Sequence, residues 1–195
     1  MIFPSLKSSS LKSLFIGFLR RYGTVKIKQK IWNAEYGKGR WLIPLGTDRS
    51  DILYSVIERY LNGRDILDLG CGNGRFLRLK DICGVYTGVD ISDSIIQQEK
   101  SFEYDRAEYY VNDIEDFVPA RKYRVILFTD SIYYIPHHKI FKTLIRYRNY
   151  LERGAFVVRM WNKDKYQKII KLIDGNFTVL EKHILKNNSI IIAFH

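Results

Sequence analysis

Cysteine is nearly missing from this chain of 195 residues: Cys71 and Cys83 are the only two. Neither their number nor their spacing offers a disulfide framework or a zinc site, so no metal is expected and a reducing compartment fits. Long apolar runs are missing as well. No window approaches the roughly 18 consecutive apolar residues that a membrane-spanning helix needs. The longest N-terminal run, residues 14–19 with Gly17 inside it, is too short for the core of a secretory signal. The expectation is a cytoplasmic protein without a transmembrane segment. Internal repeats and low-complexity tracts are absent too, and 46% hydrophobic with 14% aromatic content suffices for the core of one medium α/β domain.

Acidic residues are scarce at one end. Residues 1–40 hold nine basic side chains (Lys7, Lys12, Arg20, Arg21, Lys26, Lys28, Lys30, Lys38, Arg40) against Glu35 alone, and so carry most of the net charge of +11. Residues 8–31 read as a basic amphipathic helix interrupted near Gly23, with Leu11, Leu14, Phe15, Phe18 and Leu19 at helical spacing. Three readings stay open for this helix: docking on the domain, a surface for anionic lipid or nucleic acid through residues 7–30, or a disordered tail. Residues 31–41 follow as an aromatic stretch without clean period, read as a structured loop or lid. The expected division is an extension with lid over 1–47 and a domain over 48–195.

From residue 48 the pattern alternates. Helices are expected at 48–61, from 75, and at 93–102, 138–151 and 163–173; strands at 65–69, 85–89, 108–111, 124–128, 155–160, 177–185 and 189–194. Strands separated by helices imply a mostly parallel sheet covered on both faces. The last two strands, joined through Lys186-Asn187-Asn188, read as an antiparallel hairpin.

The chemistry sits at the end of the first strand. Asp68-Leu69-Gly70-Cys71-Gly72-Asn73-Gly74 puts a glycine-rich turn between a buried strand and a helix, where doubly wound folds bind ligands. Alternating glycines let a ligand approach the backbone closely. A dinucleotide site needs G-x-G-x-x-G, and Arg75 and Phe76 stand where its third glycine would fall. The spacing disfavours NAD. It resembles instead the first motif of class I S-adenosylmethionine-dependent methyltransferases, D-x-G-x-G-x-G, at every defined position. Gly88-Val89-Asp90-Ile91-Ser92 ends the next strand in a carboxylate able to accept from both ribose hydroxyls. Asn112-Asp113-Ile114 resembles the family's adenine-binding turn, with Asp113 accepting from the exocyclic amine and Ile114 against the ring. The resemblance covers about residues 48–195. It implies a Rossmann-like seven-stranded sheet of order 3-2-1-4-5-7-6 with strand 7 antiparallel and helices on both faces. It also implies S-adenosylmethionine as cofactor, S-adenosylhomocysteine as product, and a cofactor set of Asp68, Gly70, Cys71, Gly72, Gly74, Asp90, Ile91, Asp113, Ile114 and Asp130.

No insertion is long enough for a separate substrate domain, so the N-terminal segment and the loops after strands 4 and 5 must hold the acceptor. In the loop after strand 4, Asp130 is placed to orient an acceptor amine or hydroxyl, His137 is a candidate general base, and Tyr133 and Tyr134 are candidate pocket walls. Pro136-His137-His138 reads equally as the solvated opening of a helix. Asp-Ser-Ile-Tyr-Tyr-Ile (130–135) is similar to the corresponding stretch of the nodulation N-methyltransferases of chitooligosaccharides. The N/D-P-P-Y/F signature of amino methylation on nucleic acid or glutamine is absent. Trp32, Tyr36 and Trp41 are candidates to close over the site, with Arg40 pairing the methionine carboxylate; buried anchors for the N-terminal helix would look the same. The expected function is methyl transfer to O or N of a small molecule or sugar. The alternatives are an RNA or protein methyltransferase acting through the basic segment, or a non-catalytic cofactor-binding adaptor.

Overall fold

Seven apolar segments assemble into one sheet of order β3-β2-β1-β4-β5-β7-β6. The computed structural model describes residues 8–39, 52–74, 84–102 and 105–195. Strands β1 (Ile66–Leu69), β2 (Tyr86–Asp90), β3 (Ala107–Val111), β4 (Tyr123–Thr129) and β5 (Leu151–Met160) are parallel neighbours. Strand β7 (Ile190–Phe194) runs antiparallel between β5 and β6 (Val179–Ile184). The strand order and the terminal hairpin are those expected.

Period-two alternation builds two cores on opposite faces of the sheet. Leu67, Leu69, Ile126, Phe128, Phe156 and Val158 face α5 (His137–Arg148) and α6 (Gln167–Asn176), which contribute Ile140, Leu144, Tyr147 and Ile173. The alternate residues Ile66, Val125, Leu127 and Val157 face α3 (Ile52–Leu61) and α4 (Asp93–Lys100) through Leu53, Val56, Ile57, Ile95 and Ile96. Helix α4 starts where expected, because the Ser92 hydroxyl caps it by accepting from the Ile95 N–H.

The chain order reverses at β1, whose neighbours β2 and β4 lead to opposite halves of the sheet. The crevice at their carboxyl ends is the place where such sheets bind ligands.

Three expectations need correction. Residues 31–37 are helical and not a loop: α1 (Ser8–Tyr22) breaks at Gly23, and α2 (Val25–Gly37) restarts on the cap Thr24, whose hydroxyl accepts from the Ile27 N–H. A helical period does run through α2, in Lys28, Trp32 and Tyr36, but that stripe is charged and aromatic, so apolar periodicity misses it. Strand β5 begins at Leu151 and not at 155, pairing Tyr123 with Leu151 across a register shift before Val125. Helix α6 begins at Gln167, after a turn in which Asn162 Oδ1 accepts from the Lys165 N–H. The helix expected from 75, and Arg40 and Trp41, lie outside the described residues.

Candidate active site

The turn after β1 is held from both sides. The Gly70 and Cys71 N–H groups both donate to the Val89 carbonyl, at 2.7 and 3.0 Å. The Ser131 hydroxyl, arriving from β4, donates to the Leu69 carbonyl at 2.5 Å. That approach needs a glycine: Gly70 has φ +81°, and a Cβ there would lie 2.5 Å from the Ser131 Cβ. Gly72 at φ +52° faces the other way, toward the Tyr36 ring, whose hydroxyl would meet a Cβ at 3.2 Å. At Gly74, with φ +56°, a Cβ would meet the Tyr109 hydroxyl at 2.7 Å and the Glu99 carboxylate at 2.9 Å.

Asp90 is 4% exposed at the end of β2. Its Oδ1 accepts from the Ser92 N–H at 2.9 Å, and its Oδ2 accepts from the Gly72 N–H and the Tyr36 hydroxyl, each at 3.0 Å. Burial raises its pKa above the ordinary carboxylate value; those three donors and the Ile91 N–H oppose the shift. Tyr36 stays a phenol, because burial and then the Asp90 charge push its pKa well up. Cys71 stays a thiol for the same reason, with the carboxylates of Asp90, Asp68 and Glu99 adding to burial. Asp68 accepts from the Tyr86 hydroxyl at 2.8 Å.

The turn after β3 is pinned by α5: the Tyr147 hydroxyl and Arg146 Nη2 both donate to the Ile114 carbonyl, at 2.8 and 2.7 Å. Asp113 Oδ1 accepts from the Glu115 N–H at 3.0 Å, while its Oδ2 takes Lys28 Nζ at 2.8 Å. The same ammonium reaches Glu115 at 3.0 Å. Burial draws the Lys28 pKa down, but the hydrogen bonds and charges of Asp113 and Glu115 outweigh it and leave it raised. Burial lifts the Glu115 carboxyl, and Lys139 and Lys28 more than reverse that, leaving it below its ordinary value.

Helix α2 therefore clamps the acidic rim. Its Lys28 holds Asp113, its Tyr36 holds Asp90, and its Asn33 donates to Asp93 and accepts from the Ser92 hydroxyl. Trp32 of the same helix meets Tyr134 edge to face at 4.8 Å. From α1, Arg20 lies over the Trp32 ring and pairs with Glu35 at 3.0 Å, its Nε having no hydrogen-bond partner among the described residues. Arg21 donates through Nε and Nη2 to the Tyr133 carbonyl.

These elements enclose one cavity of about 200 Å³. Of the residues singled out in the sequence, it is lined by Asp68, Gly70, Cys71, Gly72, Asp90, Ile91, Asp113, Ile114, Asp130, Trp32, Tyr36 and Tyr134. Gly74 does not line it. Tyr133 turns into the core, 3% exposed and stacked on Tyr166 at 4.2 Å. His137 is exposed as the first residue of α5 and is not brought to the cavity, the arrangement of a solvated helix opening. Asp130 has φ +55° and its Oδ2 is ion-paired with Arg159 Nη1. Sequence reasoning missed Arg20 and Lys28. The spacing of Lys28 with Trp32 and Tyr36, one helical turn apart each time, is the signal that could have found the second.

A glycine cradle that a Cβ would fill, beside a buried carboxylate at the end of the next strand, fits an adenosyl ligand with a ribose diol. The family comparison agrees: a model described as "Methyltransferase domain" matches residues 36–185, and this chain belongs to that methyltransferase family. No curated protein matches the sequence. Among solved structures the chain is similar to the 1,6-didemethyltoxoflavin-N1-methyltransferase of Burkholderia thailandensis, crystallised with 1,6-didemethyltoxoflavin and S-adenosylhomocysteine. That match has 13% identity and a TM-score of 0.69, covering 100% of this chain and 92% of that one. The magnesium protoporphyrin IX methyltransferase of Synechocystis PCC 6803, with bound SAM, gives 17% identity and 0.66 over 88% and 96% of the two chains. The N-methyltransferase NodS of Bradyrhizobium japonicum WM9, in complex with S-adenosylhomocysteine, gives 12% and 0.61 over 83% and 97%. The fold is that of these enzymes.

Proposed function

We propose that this chain transfers a methyl group from S-adenosylmethionine to an oxygen or nitrogen atom of a small molecule or sugar, in the cytoplasm. The observation that carries this reading is a cavity lined by two chemically different sets of residues. The first set, the turn of Gly70, Cys71 and Gly72 with Asp68, Asp90, Ile91, Asp113 and Ile114, would hold the donor: Asp90 the ribose hydroxyls, Asp113 and Ile114 the adenine. The second set is Trp32 and Tyr134, which meet edge to face, with Ile135, Asp130 and Arg20, the last over the Trp32 ring; these would face the acceptor. When bound, the donor supplies an electrophilic methyl on a sulfonium, and the protein's part is to align the acceptor and exclude water.

Asp130 is suited to alignment. Its carboxylate is fixed by Arg159 and held in a left-handed backbone conformation that side chains seldom adopt. A carboxylate so paired accepts a hydrogen bond from an amine or hydroxyl without needing to take the proton. Tyr134, its phenol pushed up to about 12 by burial, stays protonated and serves as wall and donor. Within the extension of 1–47, helices α1 and α2 act as a cap over the domain of 48–195 and supply Arg20, Lys28, Trp32 and Tyr36.

Methyl-labelled S-adenosylmethionine offered with a panel of amines, hydroxylated aromatics and sugars tests the proposal. The expected outcome is a labelled small product, lost in Asp130→Ala while S-adenosylhomocysteine still binds. Label entering only RNA or protein would sink it.

A further inference from the structure

We propose that helix α1 is an interfacial helix that docks this protein on an anionic membrane surface. Leu11, Leu14, Phe15 and Phe18 are 66%, 69%, 62% and 55% exposed, and with Tyr22 they fall on one stripe of the helix, three, four and seven residues apart. Arg20, on the opposite side, lines the cavity and pairs with Glu35, and Arg21 holds the Tyr133 carbonyl. Arg20 thus ties the C-terminal end of α1 to α2 and Arg21 ties it to the domain, which turns the apolar stripe outward. Val25 and Ile27 carry exposed apolar surface past the break into α2.

The charge around this stripe selects its partner. Lys12, next to Leu11 on α1, and Lys26 and Lys30 on α2, the first between the exposed Val25 and Ile27, are exposed, and Glu35, the one acidic residue in positions 1–40, is taken by Arg20 and Lys38. An apolar face bordered by lysines matches the boundary between anionic headgroups and acyl chains. A nucleic acid would leave the leucines and phenylalanines unsatisfied, and a second copy would bring the lysines of two chains together. At 15 residues the helix is about 22 Å long, and no helix among the described residues is long and apolar enough to cross a membrane. It can lie in the surface while Arg20, on its opposite side, lines the cavity.

Sedimentation of the full chain with phosphatidylcholine vesicles, with and without phosphatidylglycerol, tests the inference. Binding is expected only to the anionic vesicles and is weakened by salt. Lys12→Gln/Lys26→Gln/Lys30→Gln should weaken it on the order of a hundredfold. Leu14→Ser/Phe15→Ser/Phe18→Ser should abolish it. Binding of S-adenosylhomocysteine, measured on the same preparations, should not change in either variant, which separates failure here from failure of the methyltransferase reading. The inference is overturned by absent vesicle binding, by vesicle binding that the serine variant retains, by RNA binding indifferent to the serine substitutions, or by a dimer in light scattering that those substitutions split.

Discussion

Replacing Tyr36 by phenylalanine should tighten the binding of S-adenosylhomocysteine. Asp90 accepts three hydrogen bonds, from the Gly72 and Ser92 N–H groups and the Tyr36 hydroxyl, beside the lesser influence of the Ile91 N–H, and a carboxylate offers about four lone-pair sites. A ribose diol needs two of them, so one donor has to leave. The two N–H groups belong to the glycine turn and the start of α4, which are fixed by Val89 and the Ser92 cap; the phenol is the group that can turn away. A hydrogen bond to a charged acceptor contributes about 1.5–3 kcal/mol. If water or another acceptor restores about half of it to the displaced phenol, the ligand recovers about 0.8–1.5 kcal/mol in Tyr36→Phe, roughly a four- to tenfold gain in affinity. Calorimetric titration of the two proteins reads this directly. Unchanged or weaker binding in the variant would refute the argument and make Tyr36 a ligand contact.

Other perturbations follow from the same contacts. Gly70→Ala should destabilise the fold by about 2–4 kcal/mol, from the left-handed backbone and the contact with Ser131 together, visible as a lower urea midpoint; a wild-type midpoint would show the turn to be looser than described. Lys28→Met leaves Asp113 and Glu115 facing each other and should cost about 2 kcal/mol, less than a sealed pair because Lys139 still serves Glu115. The depressed Glu115 pKa adds a pH dependence: its contribution is present above the ordinary value of 4.5 and is lost as pH falls through the lower folded value, a limb that Lys28→Met should shrink. Asp90 has the opposite sign, and its raised pKa means that ligand hydroxyls, which favour the carboxylate, should bind more weakly as pH falls through it. His137→Gln, outside the cavity, should leave turnover unchanged, and a loss would restore the histidine to the chemistry.

The donor half of the site was legible because its demands are local. A strand, a turn that only glycine can make, and a carboxylate at the next strand end all lie within residues 66–90. The sheet order was legible through the resemblance those residues carry. The cap was not. Lys28, Trp32 and Tyr36 face the domain on a stripe whose partners, Asp113, Tyr134 and Asp90, are supplied by three strand ends remote in sequence. Arg20 looked like one more member of a basic run, and only its contact with Glu35 and Trp32 distinguishes it. Tyr133 and Tyr134 are adjacent with equal composition, yet the 3-10 turn over Ile132–Tyr134 sends one into the core and the other to the cavity. The early start of β5 was hidden by the register shift at Tyr123, a backbone irregularity without a side-chain pattern.

The most direct test of the central claim is titration of S-adenosylhomocysteine into the purified protein, with NADH in parallel and Asp90→Asn as the matched control. The account predicts binding of S-adenosylhomocysteine and not of NADH. It also predicts that folded Asp90→Asn, which loses two charge-assisted hydrogen bonds to the ribose, binds on the order of a hundredfold more weakly. A folded protein that ignores S-adenosylhomocysteine, or binds it equally well in both forms, would contradict it.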